Sequence, residues 1–178
     1  MGTGQMLVTI FSMCLLGTII LNTNRGIASS SEVFSMTNYS LEDVSYATSI
    51  IQRAQKIDFD AQTRINIVTS PTQLTAAGSL GQETGVYSEL DDVDDYQGTS
   101  AAGAGRLGVD TLATGIYYSR TQVHYVADNN LDAFSAAPTY HKRLDVWVWN
   151  KEELLNLNRP PRRGDTLHMA TIISYWAF

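Results

Sequence analysis

The chain is 178 residues long, with 18 acidic and 12 basic side chains and a formal net charge of −6. This length suits one domain with its own core, and the acidic balance argues against nucleic acid as a partner. The single cysteine, Cys14, excludes an internal disulfide and any site built from several cysteines. Only 17% of residues are charged and 44% are hydrophobic, which is typical of chains that cover surface with lipid or neighbouring subunits.

The first predicted element is a hydrophobic helix at residues 1–25. No charged residue precedes Arg25, and residues 6–21 are apolar apart from two threonines and one serine. As a helix, residues 6–21 would span about 24 Å, slightly less than the ~30 Å of a bilayer core. Three interpretations stay open: a cleaved secretory signal, a membrane anchor, or a helix that leaves the membrane and packs into the core of a polymer.

Residues 26–60 predict an amphipathic helix that continues the first one. Its stripe of apolar residues recurs at three- and four-residue steps: Leu41, Val44, Ala47, Ile51 and Ala54. The stretch 26–39 is rich in Ser, Thr and Asn, and Gly26 is the least costly place for a bend. The pattern therefore leaves open one long helix or two.

Residues 61–178 predict the loop and sheet part of the same domain. The composition of 70–115 is typical of surface loops, with an acidic cluster at 89–96. Three later runs have strand composition, with breaks at 128–130 and 159–164: Gly115–Ala127, Tyr140–Asn150 and Thr166–Phe178. We therefore predict an α+β fold, in which a long N-terminal hydrophobic helix packs on a three- to four-stranded antiparallel sheet.

The run from Tyr140 to Asn150 alternates between two faces. One face carries Lys142, Leu144, Val146 and Val148, and the other carries His141, Arg143, Asp145, Trp147 and Trp149. Because Trp147 and Trp149 share the polar face, we predict a surface contact between subunits there. A carbohydrate-binding platform is the alternative.

Two groups of residues have side chains of the types that bind metals in proteins. The carboxylates of Asp91, Asp92, Asp94 and Asp95 are ligands that Ca²⁺ prefers, although a solvated acidic turn is the simpler interpretation. His124, His141 and His168 lie one on each predicted strand, so they either form a three-histidine site or are unrelated. No other cofactor is expected. No nucleophile elbow or phosphate loop is present, so we predict that the chain is not an enzyme.

The order of these elements resembles that of type IV pilins and pseudopilins. The segment 91–98, DDVDDYQG, is similar to the FDDVDDYNG segment of minor pilins of the mannose-sensitive haemagglutinin type. The segment 47–60, with its Phe59-Asp60 pair, is similar to the end of the helix in those proteins, and 80–83 resembles the LGPE that precedes their acidic motif.

The resemblance implies a structural subunit of an extracellular bacterial filament, a type IV pilus or fimbrium involved in adhesion. The implied partners are identical subunits in a helical homopolymer, the inner membrane that holds the single-pass precursor, and a pilus or secretion assembly machinery. Gln5 stands where the family has an acidic residue that pairs with a neighbour's amino terminus, if Met1 is the mature start. The residues expected in the filament core are Gln5, Met6, Leu7, Ile10, Phe11, Leu15, Gly17 and Ile20.

Two other functions fit the same residues. The first is a membrane-anchored minor pilin or pseudopilin that primes or tips a pilus or a secretion system, which the acidic motif favours. The second is a helix-anchored adhesin that binds sugar through Trp147 and Trp149.

Overall fold

A computed structural model describes residues 2–81, 90–97, 105–112, 115–150 and 166–176. The chain divides into two compact units, Met1–Leu41 and Glu42–Phe178. The predicted break at 159–164, the predicted loop residues 98–104 and the end of the third predicted strand at 177–178 lie outside the described residues.

The first helix, α1, runs without interruption through Thr3–Ala54. Of the two alternatives left open by the sequence, one long helix is therefore the correct one. The chain stays helical at Gly26, where an added Cβ would meet no atom within 4 Å. The helix ends six residues before the predicted boundary at residue 60.

The last turns of α1 belong to the second unit and form part of its core. Ala47, Ile51 and Ala54 are buried together with residues from the sheet. Leu41 and Val44, predicted to extend the same stripe, are 63% and 43% exposed. The prediction was wrong for these two residues. The buried side chain on these turns of α1 is that of Asp43, so Leu41 and Val44 lie away from the buried side of the helix.

The second unit contains a five-stranded antiparallel sheet, which confirms the α+β prediction. The strands are β1 (Arg106–Leu112), β2 (Gly115–Ala127), β3 (Asn130–Phe134), β4 (His141–Asn150) and β5 (Leu167–Ser174). Their order in the sheet is β1-β2-β4-β5, and β3 pairs with the end of β2. The three predicted strands correspond to β2, β4 and β5, and consecutive members pair antiparallel, as expected.

Two strands, β1 and β3, were not predicted from the sequence. Strand β1 lies in the segment predicted as loop, and that prediction was wrong. The strand pairs with β2 along its whole length, and an added Cβ on Gly108 would lie 2.5 Å from Ser119 Oγ. A Cβ at this position would displace the Ser119 hydroxyl, so glycine fits the close approach, and glycine reduces the strand character of the sequence. Strand β3 is the short return of a hairpin after the break at 128–130.

Short elements connect α1 to the sheet. They are the helix α2 (Ala61–Ile65) and three 3₁₀ turns at Pro71–Gln73, Ala77–Ser79 and Asp94–Gln97. The Asp60 side chain caps α2, accepting a hydrogen bond from the Gln62 amide at 3.1 Å. Here a second group of buried apolar residues forms from Phe59, Val68, Leu74 and Tyr125. The acidic segment, residues 90–97, therefore contains one of these ordered turns, Asp94–Gln97.

Candidate functional site

The apolar side chains of the first unit are exposed. Phe11 is 71% exposed and Leu15 50%, and among the residues predicted for a filament core only Gly17 is half-buried; the others, Gln5, Met6, Leu7, Ile10 and Ile20, are exposed too. Helix α1 contains a span long and apolar enough to cross a membrane, and a signal sequence has the same character. Fully covering one such side chain is worth about 1.5–3 kcal/mol, so this surface favours contact with lipid or protein.

The threonine side chains of this part of α1 bond to the helix itself. The hydroxyls of Thr9 and Thr18 each donate at 2.8 Å to the carbonyl three residues earlier, and Thr23 donates at 2.9 Å to Ile19. A hydroxyl satisfied in this way can enter an apolar environment without losing a hydrogen bond. The span therefore suits an environment without water.

The acidic segment is attached to the sheet through a buried lysine. Lys142 of β4 is fully buried, and its Nζ lies 2.9 Å from Asp60 Oδ2 and also contacts Asp94 Oδ1. The same ammonium donates to the Phe59 carbonyl at 2.7 Å and lies 4.3 Å from the centre of the Phe59 ring. One cation thus joins the acidic segment, the residues before α2 and the sheet.

Hydrogen bonds to backbone amides hold the acidic segment in shape. Asp92 Oδ1 accepts from the Asp94 amide at 2.8 Å and from the Asp95 amide at 3.2 Å. Asp95 Oδ2 accepts in turn from the amides of Asp91 and Asp92 at 2.9 and 3.3 Å. Because the Val93 amide also donates to the Asp58 carbonyl at 3.0 Å, the segment adds to the folded unit like a short strand.

The four predicted calcium ligands are divided between two places. Asp91, Asp92 and Asp95 each offer an oxygen, and the three oxygens lie within 4.8 Å of one another. Asp94 instead contacts Lys142, and Asp91 also pairs with Arg64. Three hard oxygen ligands suit Ca²⁺, and binding of that ion stays a prediction.

The carboxylates around Lys142 have opposite pKa shifts. Burial alone would raise the pKa of Asp60, but the charge of Lys142 and hydrogen bonds from it, Gln62 and Thr75 bring that pKa below its usual value. Burial raises the pKa of Asp94 to about 7, against the opposing effect of Lys142. Burial and the charge of Asp95 raise the pKa of Asp92 to about 6. One lysine therefore neutralises Asp60 and leaves Asp94 near its titration point at neutral pH.

The outward face of the sheet holds the predicted surface tryptophans. Trp149 stacks on Tyr118 at 5.9 Å between ring centres, and Trp147 stacks on His168 at 4.8 Å. Both tryptophans are half-buried, so neighbours on the sheet cover much of their area. Subunit contact and sugar binding at this face stay predictions.

Two of the three histidines meet on this face at one carboxylate. Nε2 of His168 lies 2.8 Å from Asp145 Oδ1, and Nε2 of His124 lies 3.7 Å from Asp145 Oδ2. Burial lowers the pKa of His124. His141 instead has its Nδ1 2.7 Å from Ser174 Oγ, so the structure does not bring the three rings together.

The sequence analysis missed Lys142 and Asp60 as partners of the acidic segment. One signal was present, because Lys142 is the only charged residue in the alternating series with Leu144, Val146 and Val148. A lysine on an apolar strand face predicts a buried carboxylate partner.

Comparisons of the chain with protein-family models, with curated proteins and with solved structures find no match.

Proposed function

We propose that this chain is a structural subunit of an extracellular type IV pilin-like filament that polymerises through its N-terminal apolar helix. The observation that carries the proposal is the exposed apolar half of α1, which continues in the same helix into the core of a folded α+β unit. The resemblance of the element order to that of pilins supports it.

Apolar burial is the driving force in this proposal. Covering apolar surface yields roughly 25 cal/mol per Å², and a helix surrounded by several neighbours covers most of its side chains. Small residues such as Ser12 and Gly17 allow close approach between helices. Contacts that pair different patches on successive subunits do not close, so they build a helical polymer.

The proposed route begins in the inner membrane. There the apolar span of α1 is the single crossing of a precursor, with its threonine hydroxyls bonded to its own carbonyls. An assembly machinery would then transfer the helix from lipid to the filament core at the cell surface. The helix exchanges one apolar environment for another.

A minor pilin or pseudopilin is the second candidate. The segment 91–98 resembles that of minor pilins, and the carboxylates of Asp92 and Asp94 within it bond to backbone amides and to Lys142. In this alternative the chain stays mostly in the membrane and primes or tips a polymer of other subunits.

Electron microscopy of the native protein purified from cells tests the proposal. Long fibres composed of this chain are expected, whereas only detergent-soluble particles would contradict the filament and favour the second candidate. The variant Leu15→Glu places a charge in the apolar span and should abolish fibres. Leu107→Glu is the matched control, since Leu107 is 70% exposed on β1, and it should leave fibres intact.

A further inference from the structure

An amine and two carboxyl groups lie in contact in the interior of the second unit. Lys142, Asp60 and Asp94 are all buried, and the rings of Phe59 and Tyr125 lie 4.3 and 5.1 Å from the lysine Nζ. The three reactive groups come from separate parts of the chain, just before α2, at the last 3₁₀ turn and on β4. Groups that a fold fixes in contact have a high effective concentration for reaction with each other.

The two carboxyl groups differ in their hydrogen bonds. Those of Asp60 are numerous, because its oxygens accept from the Gln62 amide at 3.1 Å and from the amide and hydroxyl of Thr75 at 3.0 and 3.1 Å. In Asp94, Oδ1 contacts Nζ of Lys142, while Oδ2 is buried without a hydrogen bond to any group in the described part of the chain. A buried oxygen without a donor is costly, so Asp94 is the carboxyl group that gains by losing an oxygen.

The protonation states of the two carboxyl groups suit a condensation with the amine. Burial raises the pKa of Asp94 to about 7, against the charge of Lys142, so a large share of this group is the neutral acid at neutral pH. Burial acts in the same direction on Asp60, but the charge of Lys142 and several hydrogen bonds bring the pKa of Asp60 below its usual value. Asp60 is therefore ionised, with Oδ2 2.9 Å from Nζ, where it can accept a proton.

We propose that Lys142 and Asp94 condense after folding into an isopeptide bond, which covalently links β4 to the acidic segment. Asp60 takes one proton from the ammonium, and the freed electron pair of Nζ attacks Cγ of the neutral Asp94 acid to form the C–N bond. A second proton of Nζ passes to the Asp94 hydroxyl, whose C–O bond breaks and which leaves as water. The amide nitrogen keeps the third hydrogen, and Asp60 ends as a neutral acid.

The buried position favours this product more than water would. An ammonium and a carboxylate lose their hydration when they are buried, whereas the amide and the neutral acid of Asp60 carry no charge. The rings of Phe59 and Tyr125 flank the amine and exclude water that would reverse the step. The ion pair precedes the bond, so a freshly folded chain still has the titratable carboxyl group of Asp94.

Tryptic digestion of the full chain, followed by tandem mass spectrometry, tests the proposal. The chain is kept folded in neutral detergent at pH 7 for several days, and samples are denatured and digested. Trypsin does not cleave after an acylated lysine. The expected product is therefore peptide 65–106, which contains Asp94, joined to peptide 121–143, with the mass of both less one water. Its amount should rise with time in the folded chain.

Three variants with native near-UV circular dichroism assign the roles. Asp94→Ala should give no joined peptide. Asp60→Asn keeps a similar shape but accepts no proton, so it should slow formation of the joined peptide at least about tenfold. Asp91→Asn is the matched control, since this carboxylate of the same segment pairs with Arg64, and it should leave the rate within about twofold.

Four results would overturn the proposal, and none depends on whether the chain forms fibres. The first is that the folded native chain yields only the separate peptides at all times. The second is peptide 57–64 joined to 121–143, which would place the bond at Asp60. The third is the same amount of joined peptide in a chain kept unfolded in guanidinium, because the fold would then have no part in the reaction. The fourth is an unchanged rate in Asp60→Asn.

Discussion

Lys142 is the residue whose charge attaches the acidic segment to the sheet. It is fully buried, contacts two carboxylates and lies near the rings of Phe59 and Tyr125. A buried ion pair need not add net stability, but removing one partner leaves an uncompensated charge in the interior. Burial of Asp60 and Asp94 in their ionised forms therefore depends on this lysine.

The variant Lys142→Met tests this dependence. Methionine fills a similar volume without charge, so the expected loss is the cost of leaving buried carboxylates unpaired, about 3–5 kcal/mol in the free energy of unfolding. Guanidinium denaturation followed by tryptophan fluorescence measures it. Lys56→Met, at an exposed position, is the control and should change stability by less than about 0.5 kcal/mol. A loss below about 1 kcal/mol in Lys142→Met would mean that the carboxylates do not need the cation.

Asp94 makes stability depend on pH. Its pKa is about 7 in the folded chain and about 4 when unfolded, so the folded state binds more protons between these values. The free energy of unfolding contributed by this group therefore falls as pH rises from about 4 to 7, by at most about 1.4 kcal/mol per pH unit. Other groups titrate in this range, so the contribution of Asp94 must be isolated by difference.

The contribution of Asp94 is isolated by measuring the free energy of unfolding of the native chain and of Asp94→Asn by denaturation from pH 5 to pH 8. The native chain should lose stability relative to the variant as pH rises, because asparagine carries no proton to lose. Asp110→Asn, at an exposed carboxylate, should follow the native curve. Parallel curves for the native chain and Asp94→Asn would contradict the raised pKa.

At the scale of elements, the sequence predicted those whose pattern is local. Strands β2 and β4 alternate clearly, and the long helix follows from apolar residues and the absence of proline before Pro71. Strand β1 was missed because Gly108 within it and Gly105 before it fit a close approach to β2 that only the folded chain shows. The end of α1 was predicted too late because apolar periodicity does not mark the turn after Ala54, which separates α1 from the helix α2 that Asp60 caps.

The face of α1 that packs on the sheet can be tested by overpacking. Ala47 is fully buried against the sheet core, so Ala47→Leu should lower the free energy of unfolding by about 1–3 kcal/mol. Gln52→Leu adds the same side chain on an exposed part of the helix and should have an effect below about 0.5 kcal/mol. Denaturation followed by tryptophan fluorescence reports the second unit, which contains all three tryptophans. Equal effects would show that α1 does not pack through Ala47.

At the scale of the whole molecule, the candidate sites differ in how far the sequence revealed them. The exposed apolar span was predicted because hydrophobicity over many consecutive residues needs no knowledge of the fold. The attachment of Asp94 to Lys142 joins residues 48 positions apart. Contacts at such separation depend on strand register, which composition does not specify.

Helix α1 combines two roles that truncation can separate. Among its residues up to Leu41 none is buried, whereas Ala47, Ile51 and Ala54 lie in the core of the second unit. A chain of residues 42–178 keeps these three side chains, so it should fold and stay monomeric without detergent. A chain of residues 55–178 loses them and exposes the apolar sheet residues that they cover, so it should not fold. Size-exclusion chromatography and near-UV circular dichroism measure both. Folding of the shorter chain would show that the sheet needs no helix, and association of the longer one would place a polymer contact outside the apolar span.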